Sequence, residues 1–301
     1  MRYRIGTRGS ALAMAQTEWV IAGLRTAFPG DTFDIVRITT AGDRIGNVPL
    51  TEIGSRGVFV TEIEEALLRG EIDLAVHSMK DMPGKCAQGL IFSKAWQRED
   101  PRDVLVLREA ASLKELPKNA VICTGSIRRS TQLLGLRADL KIAPIRGNID
   151  TRLRKLNEPM ENGKYPDGIV LAAAGLNRLG LAGRITQYLS PDEMIPAPAQ
   201  GTLAVELRES DEELLFRLNS LSDEASENAA RIERRFLLAA GGSCRLPVGA
   251  FAERDEAGWC LRAFFGNEDG SRTASVVIRS ESPDVKIADE AAELLRSRLL
   301  R

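Results

Sequence analysis

Apolar positions along the chain alternate between two rhythms. Short β-rich runs, among them "RYRIGT" (residues 2–7), "FDIVRI" (33–38) and "IDLAVH" (72–77), read as strands. Between them apolar residues recur every three or four positions, as in "FVTEIEEALLRG" (59–70), and read as amphipathic helices. Ser10 is placed to cap a helix from Ala11 to Thr26 that Pro29 and Gly30 close. A second series follows: "DVLVLR", then "AVICTGS" with a helix from "RRSTQLL", "KIAPIRGN" with a helix from "TRLRKL", and "GIVLAAAG" with "LNRLGL". The Pro- and Ala-rich "MIPAPAQG" then leads to "TLAVELRE", a strand suited to return to the first sheet.

This alternation predicts an α/β fold with largely parallel sheets. Two lobes like those of periplasmic binding proteins, joined by a double hinge, are expected at 1–96 with 202–219 and at 102–195. The remainder, 224–301, holds the helical "SENAARIERRFLLAA", a hairpin about "NEDG" and a final helix, and predicts a small C-terminal α+β domain.

Composition narrows the function. Lys and Arg total 41 against 42 Asp and Glu, so no global field favours nucleic acid or an anionic membrane. "MRYRIGTRGSALAMAQTEWV" lacks the apolar core of a signal peptide, and a cytoplasmic protein is expected. There are four cysteines, none in a C-x-x-C pair, and one histidine, so a zinc or iron–sulfur site is not expected and no metal is assigned. His77 reads as a hydrogen-bonded histidine beneath a loop.

Arginine is concentrated where strands end. Arg8 follows the first strand, Arg128 and Arg129 follow "VICTG", Arg146 follows "KIAPI" with Arg152 further along, and Arg178 follows "GIVLAAAGLN". Ligands of open α/β sheets bind beyond the carboxyl ends of the strands, and guanidinium forks pair with carboxylates or phosphates. Taken singly, each of these arginines reads better as a solvated surface salt bridge, but the set implies a polyanionic ligand. Ser78, Lys80 and Asp81 sit at another strand exit. Asp81 is either a turn former before Met-Pro or a carboxylate that steers N–H groups and stabilises a cation. Cys244, in "GGSCRLPVG", is either a buried turn cysteine or a thiol presented beside Arg245.

Together "GTRGSALAMAQ", "HSMKDMP", "REDPRDVLV", "CTGSIRRSTQL", "RGNIDTRLRKL", "LAAAGLNRLGL", "PAQGTLAVE" and "GGSCRLPVGA" resemble the porphobilinogen deaminase (hydroxymethylbilane synthase) family, in unbroken order from residue 3 to about 265. The resemblance implies a transferase of tetrapyrrole biosynthesis. It implies a dipyrromethane cofactor, bound by a thioether to Cys244, on which four porphobilinogen units condense with loss of ammonia before hydrolysis frees 1-hydroxymethylbilane. Asp81 matches the catalytic aspartate. Arg8, Arg128, Arg129, Arg146, Arg152 and Arg178 match the carboxylate-binding arginines, with Ser78, Lys80, Thr124, Ser126 and Gly147 in the same loops. Arg56 and Phe59 belong to the family's mobile loop, where Arg56 stands for the usual lysine, Glu52 and Thr61 also depart from the pattern, and Ser243 replaces the commoner glycine.

The implied partners are porphobilinogen and, for the product, uroporphyrinogen-III synthase, with no nucleic acid and no membrane. A monomer is expected. The rival readings are a two-lobed anion-binding protein or sensor domain, and a cysteine-nucleophile transferase that would need His77.

Overall fold

The computed structural model describes residues 1–41, 60–241, 246–267 and 269–299. The chain divides into two compact units, Met1–Glu99 with Thr202–Asn228 and Asp100–Gly201 with Ala229–Arg301.

In the first unit the five-stranded sheet has the order β2-β1-β3-β10-β4. Its strands are β1 (Arg2–Thr7), β2 (Thr32–Arg37), β3 (Leu74–Ser78), β4 (Leu90–Phe92) and β10 (Leu203–Arg208). β1 pairs in parallel with β2 and β3, whereas β10 runs antiparallel to both β3 and β4. The sheet is thus largely parallel with one reversed strand, the one that brings the chain back at Thr202. Helix α1 (Ala11–Ala27) starts as its sequence predicts, with Ser10 Oγ accepting from the Ala13 N–H at 3.3 Å. Side chains alternate across β3: Leu74 and Val76 pack on Val20 and Leu24 of α1, while Ala75 packs on Ile63 and Leu67 of α2 (Thr61–Leu68). Helix α6 (Glu212–Asn219) adds Leu214 and Leu218 to the α1 face.

The second unit repeats the plan, with strand order β7-β6-β8-β5-β9. Here β6 (Val121–Cys123), β7 (Lys141–Ala143) and β8 (Gly168–Ala172) are parallel, and β5 (Asp103–Leu107) is the reversed strand, antiparallel to β8 and to β9 (Gln187–Tyr188). Helices α3 (Ile127–Leu136), α4 (Ile149–Lys155) and α5 (Ala173–Arg178) each follow a parallel strand. α5 begins at Ala173, earlier than "LNRLGL" suggests, because the consecutive alanines favour the helix as soon as β8 ends.

Also within this unit, β11 (Gly249–Asp255), β12 (Gly258–Gly266) and β13 (Thr273–Ser280) form an antiparallel sheet. The β12–β13 pairing matches the predicted hairpin; β11 was not singled out by its pattern. The sheet's apolar face closes on Ile232 and Phe236 of α7 (Glu224–Ala239) and on Ala288, Ala291 and Leu295 of α8 (Lys286–Leu299). Each fully buried Leu, Ile or Phe there contributes about 1.5–3 kcal/mol.

Candidate active site

Because β1 and β3 are parallel, Arg8 and the Ser78–Asp81 segment leave the first sheet at the same edge. Met79–Asp81 forms a single 3₁₀ turn held by the Met82 N–H on the Met79 carbonyl at 3.1 Å, and by the Met79 N–H on the Thr202 carbonyl at 3.0 Å. Met79 is buried, which turns Asp81 outward to solvent. Ser78 and Lys80 are half-buried. Gln16 of α1, itself buried, donates from Nε2 to Ser78 Oγ at 2.8 Å. Gln16 ends the "GTRGSALAMAQ" motif yet no local signal marks it, since its role depends on the packing of α1 against β3. His77 lies beneath this turn, its Nε2 3.1 Å from Glu206 Oε2 of β10 in a fully buried contact.

In the second unit the exits of β6, β7 and β8 share one edge. Gly125, after β6, comes so close to the exit of β7 that a Cβ there would sit 3.1 Å from the Ile145 carbonyl oxygen. Thr124 Oγ1 accepts from the Ser126 N–H at 3.2 Å, and Ser126 caps α3. Arg128 and Arg129 occupy the first turn of α3 and are buried. After β7, Gly147 has φ +109°, and a Cβ on it would lie 2.6 Å from Thr151 Cγ2. Its carbonyl accepts from Arg152 Nε at 2.8 Å. Arg146 is exposed and its carbonyl accepts from Lys155 Nζ at 3.3 Å. Arg178 closes α5 and donates from Nη2 to the Gly201 carbonyl at 2.7 Å.

Asp103, which sequence reasoning did not select, lies among these residues. The reversal of β5 pairs Asp103 with Ala172, the last residue of β8, and so puts a carboxylate at the edge where the arginines emerge. Asp103 is fully buried, with Arg128 Nη1 donating to Oδ2 at 2.6 Å and Arg129 Nη2 to Oδ1 at 2.7 Å. Burial alone would raise its carboxyl, but the charges of Arg128 and Arg129 prevail and hold it well below the usual carboxylate range.

Arg56, Phe59 and Cys244 lie outside the described residues, as do Glu52 and Ser243; Thr61 is the exposed first residue of α2. On either side of Cys244, Gly241 follows α7 and Leu246 packs on the core shared by α7, α8 and the three-stranded sheet. The other cysteines differ in setting: Cys123 in β6 and Cys260 in β12 are buried, and burial pushes both thiols up, while Cys86 is half-buried.

Guanidinium groups at three neighbouring strand exits are a donor set for several carboxylates. Each pyrrole of a dipyrromethane carries an acetate and a propionate, so these residues fit such a group.

Among the described residues no helix is long and apolar enough to cross a membrane. The family model "Porphobilinogen deaminase, dipyromethane cofactor binding domain" matches residues 3–215. A porphobilinogen deaminase of Lachnospira eligens is 52% identical over 98% of this chain and 99% of its own length. One from Clostridioides difficile is 47% identical over 100% of this chain and 98% of its own. A periplasmic substrate-binding protein from Coxiella burnetii aligns with TM-score 0.44 and 16% identity over 77% of this chain and 96% of that one, a similarity too weak to bear on fold or activity. With a family model spanning more than half its length and relatives at 52% and 47% identity over nearly all of it, the chain belongs to the porphobilinogen deaminase family.

Proposed function

We propose that this transferase joins four porphobilinogen units head to tail on a dipyrromethane primer, with loss of ammonia at each joining, and frees 1-hydroxymethylbilane by hydrolysis. The observation that carries this reading is the gathering of Arg128, Arg129, Arg146, Arg152 and Arg178 at the strand exits of the second sheet, in a chain of this family. When bound, the dipyrromethane supplies the nucleophilic pyrrole carbon from which the chain grows.

Cys244 holds that group through its sulfur. The buried thiols of Cys123 and Cys260, kept protonated, are poor nucleophiles and support this choice. The arginines, with Arg8, bind acetate and propionate groups, and hydrogen bonds from Thr124, Ser126 and the Gly147 backbone N–H complete their recognition. Asp81 accepts hydrogen bonds from pyrrole N–H groups and stabilises the positive charge that develops as ammonia leaves, a fixed electrostatic contribution that needs no reorganisation. Ser78 and Lys80 orient the reacting unit, and Arg56 and Phe59 belong to the family's mobile loop. With this reading go a monomer acting in the cytoplasm and delivery of the product to uroporphyrinogen-III synthase.

The test is the intact mass of the purified protein, followed by peptide mapping of residues 241–249. An excess equal to two linked pyrroles on Cys244, absent from Cys244→Ser, is expected. Pyrrole carried on Cys86 or Cys123 refutes the anchor. A protein that is unmodified and gains no mass on incubation with porphobilinogen refutes the function.

A further inference from the structure

Arg128 and Arg129 are adjacent cations on one helical turn, and left alone they would repel and sample many rotamers. The single carboxylate of Asp103 lies between them. Its Oδ2 accepts from Arg128 Nη1 at 2.6 Å, and its Oδ1 accepts from Arg129 Nη2 at 2.7 Å and Nε at 2.9 Å. Backbone carbonyls complete the grip: Ile195 O takes Arg128 Nη1 at 2.8 Å and Val170 O takes Arg129 Nη1 at 3.1 Å. Nε and Nη2 of Arg128 keep no acceptor among the described residues.

Asp103 is itself held. Gln200 Nε2 donates to Asp103 Oδ1 at 3.0 Å and to the Pro101 carbonyl at 2.8 Å. The turn that aims Gln200 is strained, with buried Ala199 at φ +58°, a backbone conformation costly for a residue with a Cβ. Glu233 Oε2 pins it by accepting from the Ala199 N–H at 2.6 Å. A strained residue kept in place by a buried carboxylate, beside a glutamine directed at another, is a built support rather than an incidental ion pair.

We infer that Asp103 is a positioning residue, which fixes Arg128 and Arg129 as a pre-aimed pair for the pyrrole carboxylates, with Gln200 orienting Asp103 in turn. The inference rests on the reading that these arginines bind substrate carboxylates. The trio carries a net charge of +1 rather than +2, so the site gives up some long-range attraction. It gains donors whose ordering cost is met before the ligand arrives.

The experiment compares Asp103→Asn, Gln200→Leu, Arg128→Leu, Arg129→Leu and the double variant Asp103→Asn/Arg129→Leu. The readouts are circular dichroism, melting temperature, the fraction of purified protein carrying the two-pyrrole mass, and kcat and KM for porphobilinogen. For Asp103→Asn we expect a folded protein, a several-fold smaller loaded fraction and a KM raised about tenfold, the ratio typical of a lost charge-assisted hydrogen bond. The double variant should raise KM over Arg129→Leu by a smaller factor than Asp103→Asn raises it over the parent protein, because Asp103 acts through both arginines and only Arg128 remains.

A folded Asp103→Asn with a lowered melting temperature but normal KM and loading overturns the inference, as do additive effects in the double variant. If Asp103→Asn does not fold, Gln200→Leu decides: a KM raised about threefold supports the inference, by the same free-energy relation, and an unchanged one overturns it. Unchanged KM in both Arg128→Leu and Arg129→Leu would instead remove the underlying reading.

Discussion

Replacing Gly147 by alanine puts one methyl group where the loop after β7 has no room for it. The backbone there has φ +109°, which costs a residue with a Cβ about 1–3 kcal/mol. The new Cβ would meet Thr151 Cγ2 at 2.6 Å and Cβ at 2.8 Å, roughly 1 Å inside optimal carbon–carbon contact. Thr151 gives way poorly: it is β-branched, and its N–H is tied to Asn148 Oδ1 at 2.9 Å in the cap of α4. Overpacking of this kind adds about 1–3 kcal/mol, so the loop should move rather than absorb some 2–6 kcal/mol in place. Movement would break the 2.8 Å hydrogen bond from Arg152 Nε to the Gly147 carbonyl and displace Arg146. A shift of about 1 Å in a positioning group costs on the order of 100-fold in rate. The assay is kcat/KM for porphobilinogen consumption, read with the melting curve. Gly135→Ala is the control, an exposed helical site with nothing within 4 Å of a new Cβ, where about 0.5–1 kcal/mol of stabilisation and normal kinetics are expected. Gly147→Ala with kinetics and melting like the parent protein would refute the reasoning.

Two further perturbations test the site. Asp81→Ala should lower kcat on the order of 1,000-fold while the protein stays folded and loaded, because Asp81 is exposed and supports no core; full activity would remove it from the mechanism. Acid should destabilise the second unit through Asp103. Its folded carboxyl titrates below the unfolded value of about 3.9, so its stabilisation is fully present above about pH 5 and is lost as pH falls toward the folded value. Melting temperature followed from pH 7 to 3 should fall in that window, and less steeply for Asp103→Asn; parallel curves for the two proteins would contradict the assignment.

Most elements were legible because each carries its own local signal. Ser10 announces α1, the period of three and four in 226–240 announces α7, and strand exits followed by arginine announce the edge where Arg128, Arg129, Arg152 and Arg178 gather. Asp103, Gln16 and Gln200 were not legible, because each acts across a tertiary contact. "DVLVL" reads as a buried strand whichever way it runs, and only its antiparallel pairing with β8 carries Asp103 to the arginines. The one available hint was a charge heading an otherwise apolar run. For Arg128 and Arg129 the spacing located the side chains, but their burial and their shared carboxylate depend on a strand more than 20 residues upstream.

The reversed strands suggest why both units tolerate a buried acid. In the second unit β5 places Asp103, wholly buried, against the arginines that begin α3; in the first, β10 places Glu206, also wholly buried, against His77, one residue before Ser78. An unpartnered buried carboxylate would be expensive, and a leucine in either strand would pack at less cost. Stability alone therefore does not account for these acids. Glu206 lies within β10, opposite Ala75, and holds His77; Asp103 heads β5, at the edge where the arginines of the second unit emerge, and holds Arg128 and Arg129 there. An antiparallel strand is the element able to do this, because it begins or passes at the edge where its parallel neighbours end. On that argument the reversal of β5 serves the candidate site of the second unit, since a parallel strand in its place would carry its first residue to the opposite edge.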